Sequence, residues 1–108
     1  MTPTALFCND LRVGDLSDTH FTDDTWFATV RVSLTDDSVL ASRVRSFIAL
    51  CLDWHARIDT DPDASEFDAF TDLINDSRWS VASDDASTES IHLAPSFLPG
   101  GEITWRPE

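Results

Sequence analysis

Lysine is absent from these 108 residues. Seven arginines carry all the permanent side-chain positive charge, against 16 aspartates and four glutamates, for a formal net charge of −13. That balance argues against direct binding of nucleic acid or anionic lipid, both of which need clustered cations against phosphate. Glycine occurs only three times. There is no glycine-rich phosphate-cradling loop and no Gly-x-Ser-x-Gly nucleophile turn. Cysteine occurs twice, at Cys8 and Cys51, with no Cys-x-x-Cys pair, and no two of His20, His55 and His92 stand at zinc-ligand spacing. The cysteines lie in apolar contexts, Ala-Leu-Phe-Cys and Ile-Ala-Leu-Cys-Leu. They are expected as buried free thiols, with one disulfide as the alternative if they meet in space. Long hydrophobic runs are missing too. The longest, residues 47–52, is far too short to cross a bilayer, and the first residues have no basic region of a secretory signal. The expectation is a cytoplasmic chain without membrane contact.

Apolar residues make up 42% of the chain, including four Trp and seven Phe, which excludes a disordered acidic tail. The length suits one globular domain over residues 1–108.

The periodicities predict an α+β fold. Residues 5–13 carry one strand or two short ones broken near Asn9-Asp10. Gly14-Asp15 then opens a polar connection through Thr25 holding Asp15, Asp18, His20, Asp23 and Asp24, pinned to the body by Leu16 and Phe21. Residues 26–34 alternate strictly, with Trp26, Ala28, Val30, Val32 and Leu34 on one face and Phe27, Thr29, Arg31 and Ser33 on the other. Residues 35–38, Thr-Asp-Asp-Ser, supply capping candidates for a helix running to about Ile58. Its apolar stripe is Leu40, Val44, Phe47, Ile48, Cys51, Trp54, His55 and Ile58. Asp53 and Arg57 sit at ion-pair spacing beside it.

A shorter helix follows, capped by Asp63 with Glu66 in a capping-box position and with Phe67, Phe70 and Ile74 on its buried face, ending near Asp76. The last third reads as a meander, with strands at 79–82, 91–94 and 102–106, an acidic turn at 83–90 and a Pro99-Gly100-Gly101 turn. The order strands–helix–helix–strands predicts a mostly antiparallel sheet of about five strands, covered on one face by one long and one shorter helix.

Asp59, Asp61, Asp63 and Ser65 copy the first ligand spacing of a calcium-binding EF-hand loop. The copy fails at Pro62, at Ala64 where the turn needs Gly, and at Phe70 where the bidentate Glu belongs. These acids are expected to shape a helix–helix connection. No catalytic residue, metal ligand or cofactor site is assigned. His55 reads as a core or rim histidine, and His92 points away from Ile91 and Leu93. His20, in the acidic connection, has the one plausible functional setting among the three.

Acids crowd residues 15–24, 36–37, 59–63 and 84–89, whereas the arginines fall within or beside the predicted elements. Three explanations fit: adaptation to a salty cytoplasm, where Asp, Thr and Ser abound and Arg replaces Lys; recognition of a basic protein by complementary charge; and mimicry of nucleic acid, which the clustering at loops disfavours. The leading expectation is a non-catalytic acidic binding module, an inhibitor or immunity-type protein for a basic toxin or nuclease. Asp15, Asp18, Asp23 and Asp24 are the first candidate contact residues, and Asp59, Asp61 and Asp63 the second. Phe27, an aromatic on a polar face, is a candidate interface anchor. The alternatives are a small hydrolase or metal-dependent enzyme built around His20 or His55, and a structural domain forming a homodimer through the sheet face around Phe27.

Overall fold

The computed structural model describes residues 2–34, 37–61 and 63–107. Thr35 and Asp36, expected at the helix start, and Pro62, in the calcium-like spacing, lie outside them.

The fold is α+β, with seven antiparallel strands among the described residues instead of five, and one long helix. The strands are β1 (Pro3–Cys8), β2 (Leu11–Thr22), β3 (Thr25–Val32), β4 (Trp79–Ser83), β5 (Thr88–Ser90), β6 (Ser96–Leu98) and β7 (Glu102–Trp105). The helix α1 (Val39–Arg57) joins β3 to the C-terminal part. The spatial order is β5-β4-β1-β2-β3-β7-β6, so the β1–β3 meander is central and the returning chain adds one arm to each side.

Residues 91–92 draw the arms together. The Ile91 amide donates to the Trp79 carbonyl at 2.9 Å, and the next amide, His92, donates to the Arg106 carbonyl at 2.8 Å. Consecutive amides of an extended chain point to opposite sides, so this short piece bonds β4 on one side and the end of β7 on the other. Only Ile91 of the expected strand at 91–94 makes a bridge, to Pro107. The backbone then turns through Leu93 at φ 59°.

The largest correction concerns β2. Residues 15–22, expected as a connection, are strand, and only Asp23 and Asp24 form the turn to β3. The reason is a bulge. Ser17 pairs with Thr29 and His20 with Phe27, so Asp18 and Thr19 together oppose Ala28 alone. Leu16 and Phe21 are an odd number of residues apart, and the inserted residue returns both to one face, opposite Val30 and Trp26. Leu16 is buried there, but Phe21, expected to pin the segment to the body, stays half exposed against Trp26. A period-two scan cannot see a strand whose alternation skips a beat.

Asp23 and Asp24 have φ of 53° and 62° between the paired Thr22 and Thr25. This is the two-residue turn that prefers Asn-Gly or Asp-Gly, because both central residues are left-handed. We expect Asp24→Gly to raise stability by about 0.5–1 kcal/mol, by relieving left-handed strain and removing one of two adjacent like charges. A thermal melt of the variant checks this, with Asp24→Ala moving the other way.

In α1 the Ser38 hydroxyl accepts from the Ala41 amide, closing the first turn. The helix buries Ala41, Val44, Phe47 and Cys51, a narrower stripe than expected, and leaves Ile58 exposed. Phe47 packs at 5.8–6.3 Å between ring centroids on Phe67, Phe70, Trp79 and Phe97. These rings centre a cluster that also takes in Leu6, Cys8, Val13, Leu73, Val81, Ile103 and Trp105. Trp79 and Trp105 are core residues.

The second helix is not α-helical. Ser65–Phe70 is a 3-10 segment and Asp72–Asp76 a single wide π-turn. Within the 3-10 segment Phe67 and Phe70 stand three residues apart, which suits a three-residue turn. The capping box does not form. Asp63 accepts instead from the Ser65 amide and hydroxyl, and Glu66 reaches Arg57.

Candidate functional site

The two acidic groups fall on separate elements and have different surroundings. Asp59, Asp61 and Asp63 lie just beyond the C-terminus of α1. Arg57 organises this exit. Its guanidinium meets Asp53 at 3.0 Å, Asp61 at 3.4 Å and Glu66 at 3.5 Å, and donates to the carbonyls of Asp61 and Asp63 at 3.2 Å. The Asp53 hydrogen bond is the main cause that raises the Arg57 pKa above its ordinary value. Asp61 accepts from the Asp63 amide, and Asp63 is held below the usual carboxylate range by its hydrogen bonds from Ser65. Asp61, Asp63 and Ser65 of the calcium-like spacing are thus occupied in turning the chain. Exposed ion pairs of this kind add little stability, but they cancel part of the local negative potential.

Other guanidinium groups act alike. Arg43 pairs with Asp72, donates to the Ala69 carbonyl at 3.0 Å, and lies over the Phe70 ring at 5.3 Å, fastening the 3-10 segment to α1. On β2, Arg12 pairs with Asp15 and sits 5.8 Å from the Phe7 ring centroid. Asp15 also stands opposite Arg31 in the β2–β3 register. Of the first candidate group, then, Asp15 is neutralised locally.

Asp18, Asp23 and Asp24 differ: among the described residues none of them has an ion-pair partner. All three belong to the distal part of the β2–β3 hairpin, which β1 does not flank, because its pairing with β2 ends at Asp15. On the outer face of this hairpin the His20 ring stacks on Phe27, centroids 5.1 Å apart and planes within 8°. Phe27 is 36% exposed. Register pairs Phe27 with Thr104 and Thr29 with Glu102 on β7. Asp18, His20, Phe27, Thr29, Glu102 and Thr104 line one concavity of about 220 Å³. Asp18, Phe27 and His20, picked out separately from the sequence, are brought together here. Glu102 and Thr104 were missed. They arrive through pairing of β3 with a strand about 75 residues away, which no local pattern signals.

His55 and Cys51 share a mostly apolar hollow of about 380 Å³ with Trp54, Phe67 and Leu93. The geometry does not activate the thiol. Burial pushes Cys51 up to about 11, the next influence on it being the Phe97 backbone. Cys8 is likewise pushed up to about 11 by burial. Both cysteines are free and buried, and at neutral pH both are protonated and weak nucleophiles.

Among the described residues, no group of three His, Cys, Asp or Glu side chains is arranged to hold a metal ion, and no helix is long and apolar enough to cross a membrane. Comparison with family models, curated proteins and solved structures finds no match for this chain.

Proposed function

We propose that this chain is a non-catalytic acidic binding module, of inhibitor or immunity type, that engages a basic protein in the cytoplasm through the distal β2–β3 hairpin. The carrying observation is the contrast in charge pairing. Asp15, Asp53, Asp61, Glu66 and Asp72 are met by Arg12, Arg57 and Arg43, whereas Asp18, Asp23 and Asp24 on the hairpin have no such partner among the described residues. Unpaired carboxylates at the end of a hairpin project a field that steers a cationic surface inward. Such steering raises association rates by roughly 10–10³ and fades as salt shortens the screening length to about 8 Å at physiological strength. The second acidic group, around Asp59, Asp61 and Asp63, is the weaker half of the reading, because Arg57 offsets it.

The test is a charge reversal with a charge-matched control. Asp23→Arg/Asp24→Arg and Asp68→Arg/Asp76→Arg change the net charge equally. Association with a basic protein captured from the host at low salt, then purified, is followed by stopped flow across salt concentrations. The hairpin reversal should slow association by about ten-fold or more and flatten its salt dependence, with the control close to wild type. Equal effects of both reversals, or association indifferent to salt, would defeat the proposal.

A further inference from the structure

The concavity on the outer face of β2, β3 and β7 has a composition of its own. We propose that it is a receptor for a single guanidinium group, taking one arginine side chain of the basic partner. This rests on the proposed function and names which part of the partner is read.

The His20 and Phe27 rings both line the hollow. Stacked on each other, each keeps one face that its partner does not cover, and such a face attracts a planar cation laid over it. Asp18 and Glu102 stand at the same hollow from opposite sides, one from the β2 bulge and one from β7. Neither has an ion-pair partner among the described residues. Carboxylates accept the paired N–H groups of a guanidinium in a fork that a spherical ion cannot match. Thr29 and Thr104 add hydroxyl groups, and the apolar Ala28 and Ile103 complete the lining.

Competing ligands fit less well. Two carboxylates repel phosphate and other anions. Asp18, His20 and Glu102 are not arranged as a metal-ligand set. At about 220 Å³ the hollow is smaller than the pockets of roughly 300–1,000 Å³ that bury whole small molecules, and suits one side chain. The bulge brings Asp18 to this place. It holds Asp18 at φ 52°, a conformation easier for Gly, so a carboxylate stands where the backbone alone would favour no side chain.

That feature separates binding from folding in a test. The full chain at low ionic strength is titrated with N-acetyl-arginine methylamide, following the His20 and Phe27 ring protons and backbone amides by NMR. The neutral citrulline analogue and the lysine analogue serve as comparisons. Expected are saturable shifts confined to His20, Phe27, Glu102, Thr104 and their neighbours, absent with the citrulline analogue and weaker with the lysine analogue. Asp18→Asn and Glu102→Gln should each weaken binding about ten-fold, the scale of one charge-assisted hydrogen bond. Asp18→Gly should lose binding while melting no lower than wild type. Non-saturating shifts spread equally over residues 23–24 and 84–85 would overturn the proposal. So would wild-type affinity in Asp18→Asn and Glu102→Gln, or equal binding of the lysine analogue. If these variants bind normally but the Asp23/Asp24 reversal still slows partner association, the receptor fails and the binding-module reading stands. If the arginine probe binds as expected but the reversal has no effect, the receptor stands and the hairpin-steering reading fails.

Discussion

Trp79→Ala is expected to lower the free energy of unfolding by about 4–5 kcal/mol, a large share of the roughly 5–15 kcal/mol that holds a domain folded. Trp79 is 1% exposed and lies 6.1 Å from Phe47 and 6.3 Å from Phe97, between ring centroids. Its Nε1 donates to the Leu73 carbonyl at 2.7 Å. Its backbone carbonyl accepts the Ile91 amide that joins the two arms of the sheet. Alanine therefore opens a cavity between α1, β6 and β4 and also strands a buried carbonyl in the π-turn. Trp79→Phe separates the two contributions. It retains ring contact but not the donor, and should cost about 1–3 kcal/mol, the penalty of an unsatisfied buried acceptor plus a smaller void. Urea unfolding of the three proteins gives both numbers, provided the slope with denaturant stays constant. A Trp79→Ala change of less than about 1 kcal/mol would mean that neighbouring rings refill the space, contrary to the dense packing expected of an interior.

What could be read from the sequence divides by range. β3 and α1 were legible because each carries its whole signal locally: strict alternation over residues 26–34, and an apolar stripe at helical spacing with Ser38 before it. The β6–β7 hairpin turn was legible from Pro99-Gly100-Gly101. The exit of α1 was half legible. Asp53 and Arg57 at i,i+4 announce themselves, but the reach of Arg57 on to Asp61 and Glu66 depends on how the chain folds back. β2 was misread because a one-residue bulge breaks its period and polar residues fill its outer face. The second helix was misread because its apolar residues recur every three positions, between the helical and extended periods. The two extra strands, β5 and β6, have three residues each and are defined by their pairing with β4 and β7, which no pattern within three residues can signal. The same limit applies to the site. Asp18 and Phe27 could be named in advance as isolated suspects. Only the strand order sets them against Glu102, and only the arginine placement distinguishes neutralised aspartates from bare ones.

Gly14→Ala is expected to cost about 2–3 kcal/mol, although alanine is otherwise the milder residue for a strand. The backbone at Gly14 is not left-handed, so conformational freedom is not the reason. Between Leu6 and Phe7 the β1–β2 register slips, leaving Val13 as an extra residue that is fully buried, and the next residue, Gly14, lies tight against the β3 backbone. A Cβ on Gly14 would fall 2.4 Å from the Arg31 carbonyl oxygen and 3.0 Å from the Arg31 carbonyl carbon and the Val32 Cα. These are backbone atoms of a central strand, which cannot swing aside as a flexible side chain would. β3 would have to move away from β2, against its ladder to β7 and the Val30 amide bond to the Gly101 carbonyl at 2.8 Å. Restricting the unfolded chain returns only about 0.4–1 kcal/mol. Gly100→Ala is the contrast. Its Cβ would meet nothing within 4 Å, but φ is +84°, so the cost is conformational alone, about 1–2 kcal/mol. Denaturant unfolding should rank Gly14→Ala as the more damaging. The Gly14 variant should also disturb the His20–Phe27 ring resonances further along the same ladder, and the Gly100 variant should not. A neutral Gly14→Ala would mean that β2 and β3 can separate freely at this point, and the registers that set Asp15 opposite Arg31 and His20 opposite Phe27 would lose the anchor assigned to them.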